Sequence, residues 1–199
     1  GLGGQRQRIC VLFSDIRNFT TRSENMPPEE VIALLNRFFE TMTQAIHAQE
    51  GTIDKFMGDG IMAFFGAPKP LEHLCRHAFA AATAMLQGLQ ELNQTLQREG
   101  IEPIQIGIAL HVGEAVVGHV GAVCRHEYTA IGDMVNVASR LEGLTKTVGY
   151  SLVCSQPVVQ DLPDIAFIAL GKQAIKGHAP VPVWSWEPSK ITDSGVASC

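Results

Sequence analysis

Two aspartates stand where the chain ends one element or reverses direction. Asp15 closes the short apolar run Cys10-Val11-Leu12-Phe13-Ser14-Asp15, and Asp59 sits between glycines in Gly58-Asp59-Gly60. If these runs are neighbours in one sheet, as consecutive elements usually are, the two carboxylates converge. Converged carboxylates suit magnesium, which prefers hard oxygens and takes one or two protein carboxylates, with water and phosphate completing its octahedron. The same residues also serve as plain turn formers, Asp15 capping the turn after its strand and Asp59 filling an Asp-Gly hairpin turn. A second pair, Asn136 and Arg140, follows Gly132, and a helix there places both on one face. Arginine offers fixed donors to phosphate charge and an amide can orient a hydroxyl oxygen. On a solvated helix face the same pair has no such task.

These residues need elements to hold them. Cys10 to Asp15 reads as a strand, which puts Asp15 at its end. Pro27-Pro28 opens a helix in which Val31, Leu34, Leu35, Phe38, Phe39, Met42 and Ile46 recur at helical spacing until Gly51. Thr52 to Met57 and Ile61 to Phe65 form a β-hairpin with Asp59 at its tip. A second long helix is predicted over Leu71 to Gln97, then one or two strands over Ile104 to Val120, bent around Gly113 and Gly118. Glu127 to Ile131 reads as a strand and Asp133 to Lys146 as a helix. Further strands are expected near Leu152, at Ile165 to Leu170 and at Val181 to Trp186, and a loose polar tail from Ser189. Strands and helices mix without strict alternation, which predicts an α+β sheet with helices on one face.

Composition narrows the class. With 199 residues, 46% of them hydrophobic and 18% charged, the chain can bury one substantial core without staples, so a single globular domain over 1–188 is expected. A net charge of -5 excludes a broad nucleic-acid-binding face. Five widely spaced cysteines, with no CxxC pair, point to neither a disulfide framework nor a zinc site, and fit a reducing, cytoplasmic setting. The apolar stretch Ile106 to Val123 is interrupted by His111, Glu114 and His119 and reads as strand, so no membrane contact by this domain is expected. The start at Gly1, without methionine, reads as a piece of a longer protein whose other segments could anchor or regulate it. His73 and His77 have metal-friendly helical spacing with Cys75 between them, but no third ligand is apparent and they read as structural. The glycines Gly113, Gly118 and Gly121 lack the Lys-Ser/Thr of a phosphate-binding P-loop.

Three stretches carry a resemblance. Phe13-Ser-Asp-Ile-Arg-Asn-Phe-Thr20, Asp54-Lys-Phe-Met-Gly-Asp-Gly-Ile-Met-Ala63 and Tyr128-Thr-Ala-Ile-Gly-Asp-Met-Val-Asn-Val-Ala-Ser-Arg140 resemble, in order and spacing, the successive signatures of the class III adenylate/guanylate cyclase catalytic domain. The likeness runs from about Arg8 to Glu187. It implies a ferredoxin-like, palm-type sheet and the conversion of ATP to 3′,5′-cyclic AMP in intracellular signalling. It also implies two Mg²⁺ or Mn²⁺ ions per site, held by Asp15, Asp59 and the backbone carbonyl of Ile16. The amides from Arg17 through Phe19 to Thr20 are implied to line the phosphates. Asn18, where many relatives carry glycine, tolerates left-handed backbone angles better than most residues.

The resemblance assigns Asn136 and Arg140 to the transition state and Lys176 to the β- and γ-phosphates. It assigns Lys55 and Thr129 to the purine: a donor-only lysine suits adenine N1, and the threonine hydroxyl can accept from N6. Guanylate cyclases resemble this pattern with an acid in place of Lys55. Threonine at the second position is similar to a bacterial subgroup of adenylate cyclases. All of these residues stand in one chain, which predicts a homodimer with two equivalent sites shared across its interface. A guanylate cyclase, and a non-catalytic dimerisation or nucleotide-sensing module, are the alternatives.

Overall fold

A computed structural model describes residues 3–188, so the tail expected from Ser189 lies outside the described residues. In chain order the elements are β1 (Gly4–Ile16), α1 (Phe19–Glu24), α2 (Pro28–Ala48), β2 (Thr52–Met57), β3 (Gly60–Phe65), α3 (Leu74–Arg98), β4 (Ile106–Ala122), β5 (Arg125–Ile131), α4 (Asp133–Val148), β6 (Leu152–Ser155), α5 (Gln156–Gln160), β7 (Ile168–Gln173) and β8 (Val181–Ser185). The strands form one mixed sheet in the order β2-β3-β1-β4-β6-β8-β7, with β5 paired to the outer half of β4.

Strand alternation sorts the core into two layers. Cys10, Leu12 and Ile16 of β1 face one side, where Leu34, Phe38, Met42 and Ile46 of α2 and Ala78, Ala82, Met85 and Leu89 of α3 cover them. Ile9, Val11 and Phe13 face the other side, under Met134 and Ala138 of α4. The α+β sheet is thus as predicted, with one amendment. Helices α2 and α3 share a face, whereas α4 packs on the opposite one, because the strands of this sheet are apolar on both sides and each needs cover.

Several predicted elements have different bounds. β1 begins well before Cys10, since the polar residues Gly4 to Arg8 pair with Gly118 to Glu114 of β4. β4 is one continuous strand, the first of the two arrangements the sequence allows, and runs from Ile106 to Ala122. Its Gly118 is required by close approach: a Cβ there would lie 2.8 Å from the Gly4 backbone. Helix α3 starts at Leu74, after His73 in a left-handed conformation (φ 55). β5 pairs only with β4 yet curls back across the sheet, bringing Tyr128 to within 6.0 Å of the Phe64 ring on β3. No helix among the described residues is long and apolar enough to cross a membrane.

Candidate active site

The antiparallel pairing of β1 with β3 sets Ser14 opposite Ile61, so the end of β1 lies beside the β2–β3 turn. Gly58 takes φ 62 in that turn, a conformation natural to glycine. Asp59 is thereby aimed at β1, where its Oδ2 accepts the Ile16 backbone N–H at 2.9 Å. The structure therefore sets Asp59 against the β1 backbone at Ile16, the residue after Asp15. Two carboxylates beside a backbone carbonyl make an all-oxygen donor set, which fits Mg²⁺ or Mn²⁺ and leaves positions for water and phosphate.

A third carboxyl, Glu142, which no motif in the sequence marks, lies beside Asp15. Asp15 pairs with Gly107 of β4, and the bare glycine lets α4 approach: a Cβ there would stand 2.9 Å from Glu142 Oε1. Burial, followed by a hydrogen bond with Asp15, pushes the Glu142 carboxyl up to about 9. Asp15 Oδ1 and Glu142 Oε1 are both buried without a hydrogen-bond partner, and the raised Glu142 carboxyl keeps its own proton at neutral pH. The acid raised in this way stabilises the fold below its ordinary 4.5 and loses that contribution as pH climbs toward 9. In chelator-treated protein, the melting advantage of Glu142→Gln over wild type is expected to grow from about pH 5 to about pH 8. A constant difference across that range would show that Glu142 carries no such proton.

The loop after β1 behaves as the resemblance implies at one residue and differently at its neighbour. Asn18 adopts φ 55, ψ 32 and opens α1, a short helix absent from the sequence reading. Phe19 is half-buried against the α2–α3 core and Thr20 is exposed, at the first two positions of that helix. The Arg17 amide is already committed, donating to the Gln105 carbonyl at 2.8 Å, so it is not free for phosphate. The Arg17 guanidinium donates to the carbonyls of Thr145 (3.1 Å) and Tyr150 (2.9 Å), tying the loop to the end of α4.

Lys55 and Thr129 also come together, although β2 and β5 are not paired. Thr129 is 8% exposed and its hydroxyl donates to Asp54 Oδ2 at 2.5 Å, while Lys55 Nζ lies 3.7 Å from Asp54 Oδ1. Asn136 and Arg140 share a flank of α4, but not the flank that meets the sheet. Met134, Ala138, Leu141, Glu142 and Thr145 are the buried positions, and at 100° per residue Asn136 and Arg140 project to the far side. Lys176 is exposed in the turn between β7 and β8. That turn is docked on α4: Ile175 is buried, His178 Nε2 lies 3.3 Å from Asp133 Oδ1, and a Cβ on Gly177 would stand 3.6 Å from Arg140 Nη1. No described hydrogen bond or ion pair joins the aspartates to Lys55, Thr129, Asn136, Arg140 or Lys176.

The His73, Cys75 and His77 run takes no part. Cys75 Sγ contacts Asp161 Oδ2 at 3.3 Å, and among the described residues no group of three His, Cys, Asp or Glu side chains is arranged to hold a metal.

The chain belongs to the adenylate and guanylate cyclase catalytic domain family, whose model matches residues 4–185. It is 39% identical over 180 residues to adenylate cyclase 1 of Rhizobium meliloti, covering 90% of this chain and 27% of that protein. The chain thus spans little more than a quarter of that relative. Among solved structures, it is similar to the adenylyl cyclase CyaB from P. aeruginosa, with 34% identity, a TM-score of 0.87, and coverage of 96% of this chain and 98% of the other. It is also similar to the guanylyl cyclase Cya2, with 35% identity, a TM-score of 0.83, and coverage of 94% and 98%.

Proposed function

We propose that residues 1–188 form an adenylate cyclase domain that converts ATP to 3′,5′-cyclic AMP and pyrophosphate. The ribose 3′-oxygen attacks the α-phosphorus, the 3′-hydroxyl proton is lost, and the bond to the bridging oxygen of pyrophosphate breaks. Two Mg²⁺ or Mn²⁺ ions held by Asp15, Asp59 and the Ile16 carbonyl would supply Lewis-acid chemistry, acidifying the 3′-hydroxyl and gripping the triphosphate. The chain's own residues supply placement and charge. Arg140 faces the charge growing on the α-phosphate, Asn136 orients the ribose oxygen, Lys176 meets the outer phosphates, and the amides of Phe19 and Thr20 open toward the triphosphate.

The observation that carries the choice of base is the joining of Lys55 to Thr129 through Asp54. Likeness to the solved structures does not separate the substrates, since the guanylyl cyclase Cya2 and the adenylyl cyclase CyaB are 35% and 34% identical to this chain. Hydrogen-bond polarity does: a lysine donor suits the N1 acceptor of adenine and opposes the N1–H of guanine. Lys55→Glu combined with Thr129→Cys is expected to move the ATP-to-GTP ratio of kcat/KM toward GTP by at least about tenfold, whatever happens to the absolute rate. An unchanged ratio would show that these residues do not read the base.

The site is read as shared between two copies of the chain. Support comes from α4, whose sheet-facing Glu142 touches Asp15 while Asn136 and Arg140 look the opposite way. A second copy can bring its own Asn136 and Arg140 to the first copy's aspartates. Exposed Phe56 and Met57 on the hairpin, and Val116, Val120, Val123 and Ile131 on β4–β5, offer apolar surface for that association. ATP is the small-molecule partner, and no nucleic-acid or membrane contact is assigned to this domain.

A further inference from the structure

Strand β2 carries one residue more than β3 can pair. Thr52 and Ile53 face Phe64 and Ala63, the register then skips Asp54, and Lys55 faces Met62. A bulge re-aims the side chain of its extra residue. Here that side chain is 0% exposed, although it is a carboxylate. Its Oδ2 accepts the Thr129 hydroxyl at 2.5 Å and the Ala130 N–H at 3.4 Å. Its Oδ1 is buried without a hydrogen bond and lies 3.7 Å from Lys55 Nζ. Asp54 therefore touches both side chains assigned to the purine.

A threonine hydroxyl holds one proton and two lone pairs, so left alone it can donate to a carbonyl or accept from an amine. That ambivalence would make a poor selector between a 6-amino and a 6-oxo purine. We infer that Asp54 is a positioning residue that sets the hydrogen-bond polarity of the base pocket: it takes the Thr129 proton and leaves that hydroxyl able only to accept. The inference rests on the proposed base-reading roles of Lys55 and Thr129. With the proton committed, an exocyclic amino group finds an acceptor, whereas a 6-oxo group meets lone pairs and goes unpaired, which is the costly case in a buried site. The same carboxylate steadies the Lys55 ammonium at the neighbouring edge of the base. The bulge is the device that makes this possible, since regular alternation would leave Asp54 and Lys55 on opposite faces of β2.

A purely structural Asp54, clamping β5 against β2, predicts equal losses with every nucleotide. The positioning role predicts selective ones. Asp54→Asn is nearly isosteric, and its amide can donate to Thr129 Oγ1, releasing the hydroxyl proton toward the base. The kcat/KM values for ATP, ITP and GTP should then shift so that the ITP-to-ATP ratio rises by at least about tenfold. In a Thr129→Ala background the same Asp54→Asn change should leave the ratio unmoved, because the group it acts through is gone. An equal loss with all three nucleotides, while Thr129→Ala alone alters selectivity, would overturn the role of Asp54 and leave base reading standing. No effect of Thr129→Ala on the ratio would overturn base reading and this inference with it. If Asp54→Asn fails to fold, the wild-type protein decides: ATP must be a better substrate than purine riboside triphosphate, which keeps the N1 acceptor and merely lacks the 6-amino donor. The reverse order would overturn the inference.

Discussion

Asp15→Asn and Asp59→Asn are each expected to lower cyclic nucleotide formation by at least about 100-fold, more than the loss that follows from removing an outer partner of a metal ligand. Both side chains stand at element ends, outside the two apolar layers, so the melting temperature should move by only a few degrees. Asparagine is the informative replacement at Asp59 because its amide oxygen can still accept the Ile16 N–H now bonded at 2.9 Å. Asp59→Ala would leave that N–H unpaired at a cost of about 1–3 kcal/mol and confuse a chemical loss with a structural one. Raising Mg²⁺ or Mn²⁺ should recover part of the activity of the asparagine variants, since a neutral oxygen binds a cation weakly rather than not at all. Near-normal turnover in either variant at low metal would remove the carboxylate pair from the mechanism.

The second large effect is a recovery. Asp59→Asn spoils one half of the proposed site and Asn136→Ala the other, so each variant alone should be nearly inactive at low metal. When the two are mixed, a dimer with one copy of each carries both defects in one site and none in the other. Random assortment makes about half of the dimers mixed, each with one intact site of two, so activity should return to roughly a quarter of wild type. Recovery must follow subunit exchange and rise with protein concentration where the dimer is weak. Exchanged mixtures, verified by mass spectrometry, that stay as inactive as the separate variants would mean that the sites are not built across the interface. The far-side placement of Asn136 and Arg140 on α4 makes that result unexpected.

The parts legible in the sequence were those governed by short-range rules. Helical spacing located α2, the Gly-Asp-Gly turn located the β2–β3 hairpin, and four-residue spacing placed Asn136 with Arg140. The left-handed Asn18 agrees with the resemblance, in which glycine commonly stands at that position, and with asparagine's tolerance of such angles. What was missed depends on contacts distant in sequence. Polar Gly4 to Arg8 do not look like strand, yet pairing with β4 makes them one. Glu142 reads as one more charge on a helix until β4 is seen to present Gly107 beneath it. Asp54 opens one of the motifs yet gains no role from the sequence, because neither the bulge nor the return of β5 across the sheet has a local signature. The Arg17 amide looked available to a phosphate and is held instead by Gln105, a partner no spacing rule connects to it. A polar residue in an otherwise apolar strand, and a glycine opposite an aspartate, are the faint signals that remained.

The product formed from each purine nucleotide is the most direct test of adenine-selective cyclisation. Incubated with Mg²⁺ or Mn²⁺ and resolved by chromatography, ATP should give 3′,5′-cyclic AMP and pyrophosphate in equal amounts, and GTP should give far less cyclic product at the same concentration. Preferential formation of cyclic GMP would contradict the reading of Lys55 and Thr129. No cyclic product from either nucleotide would contradict the assignment of Asp15, Asp59, Asn136 and Arg140 to catalysis.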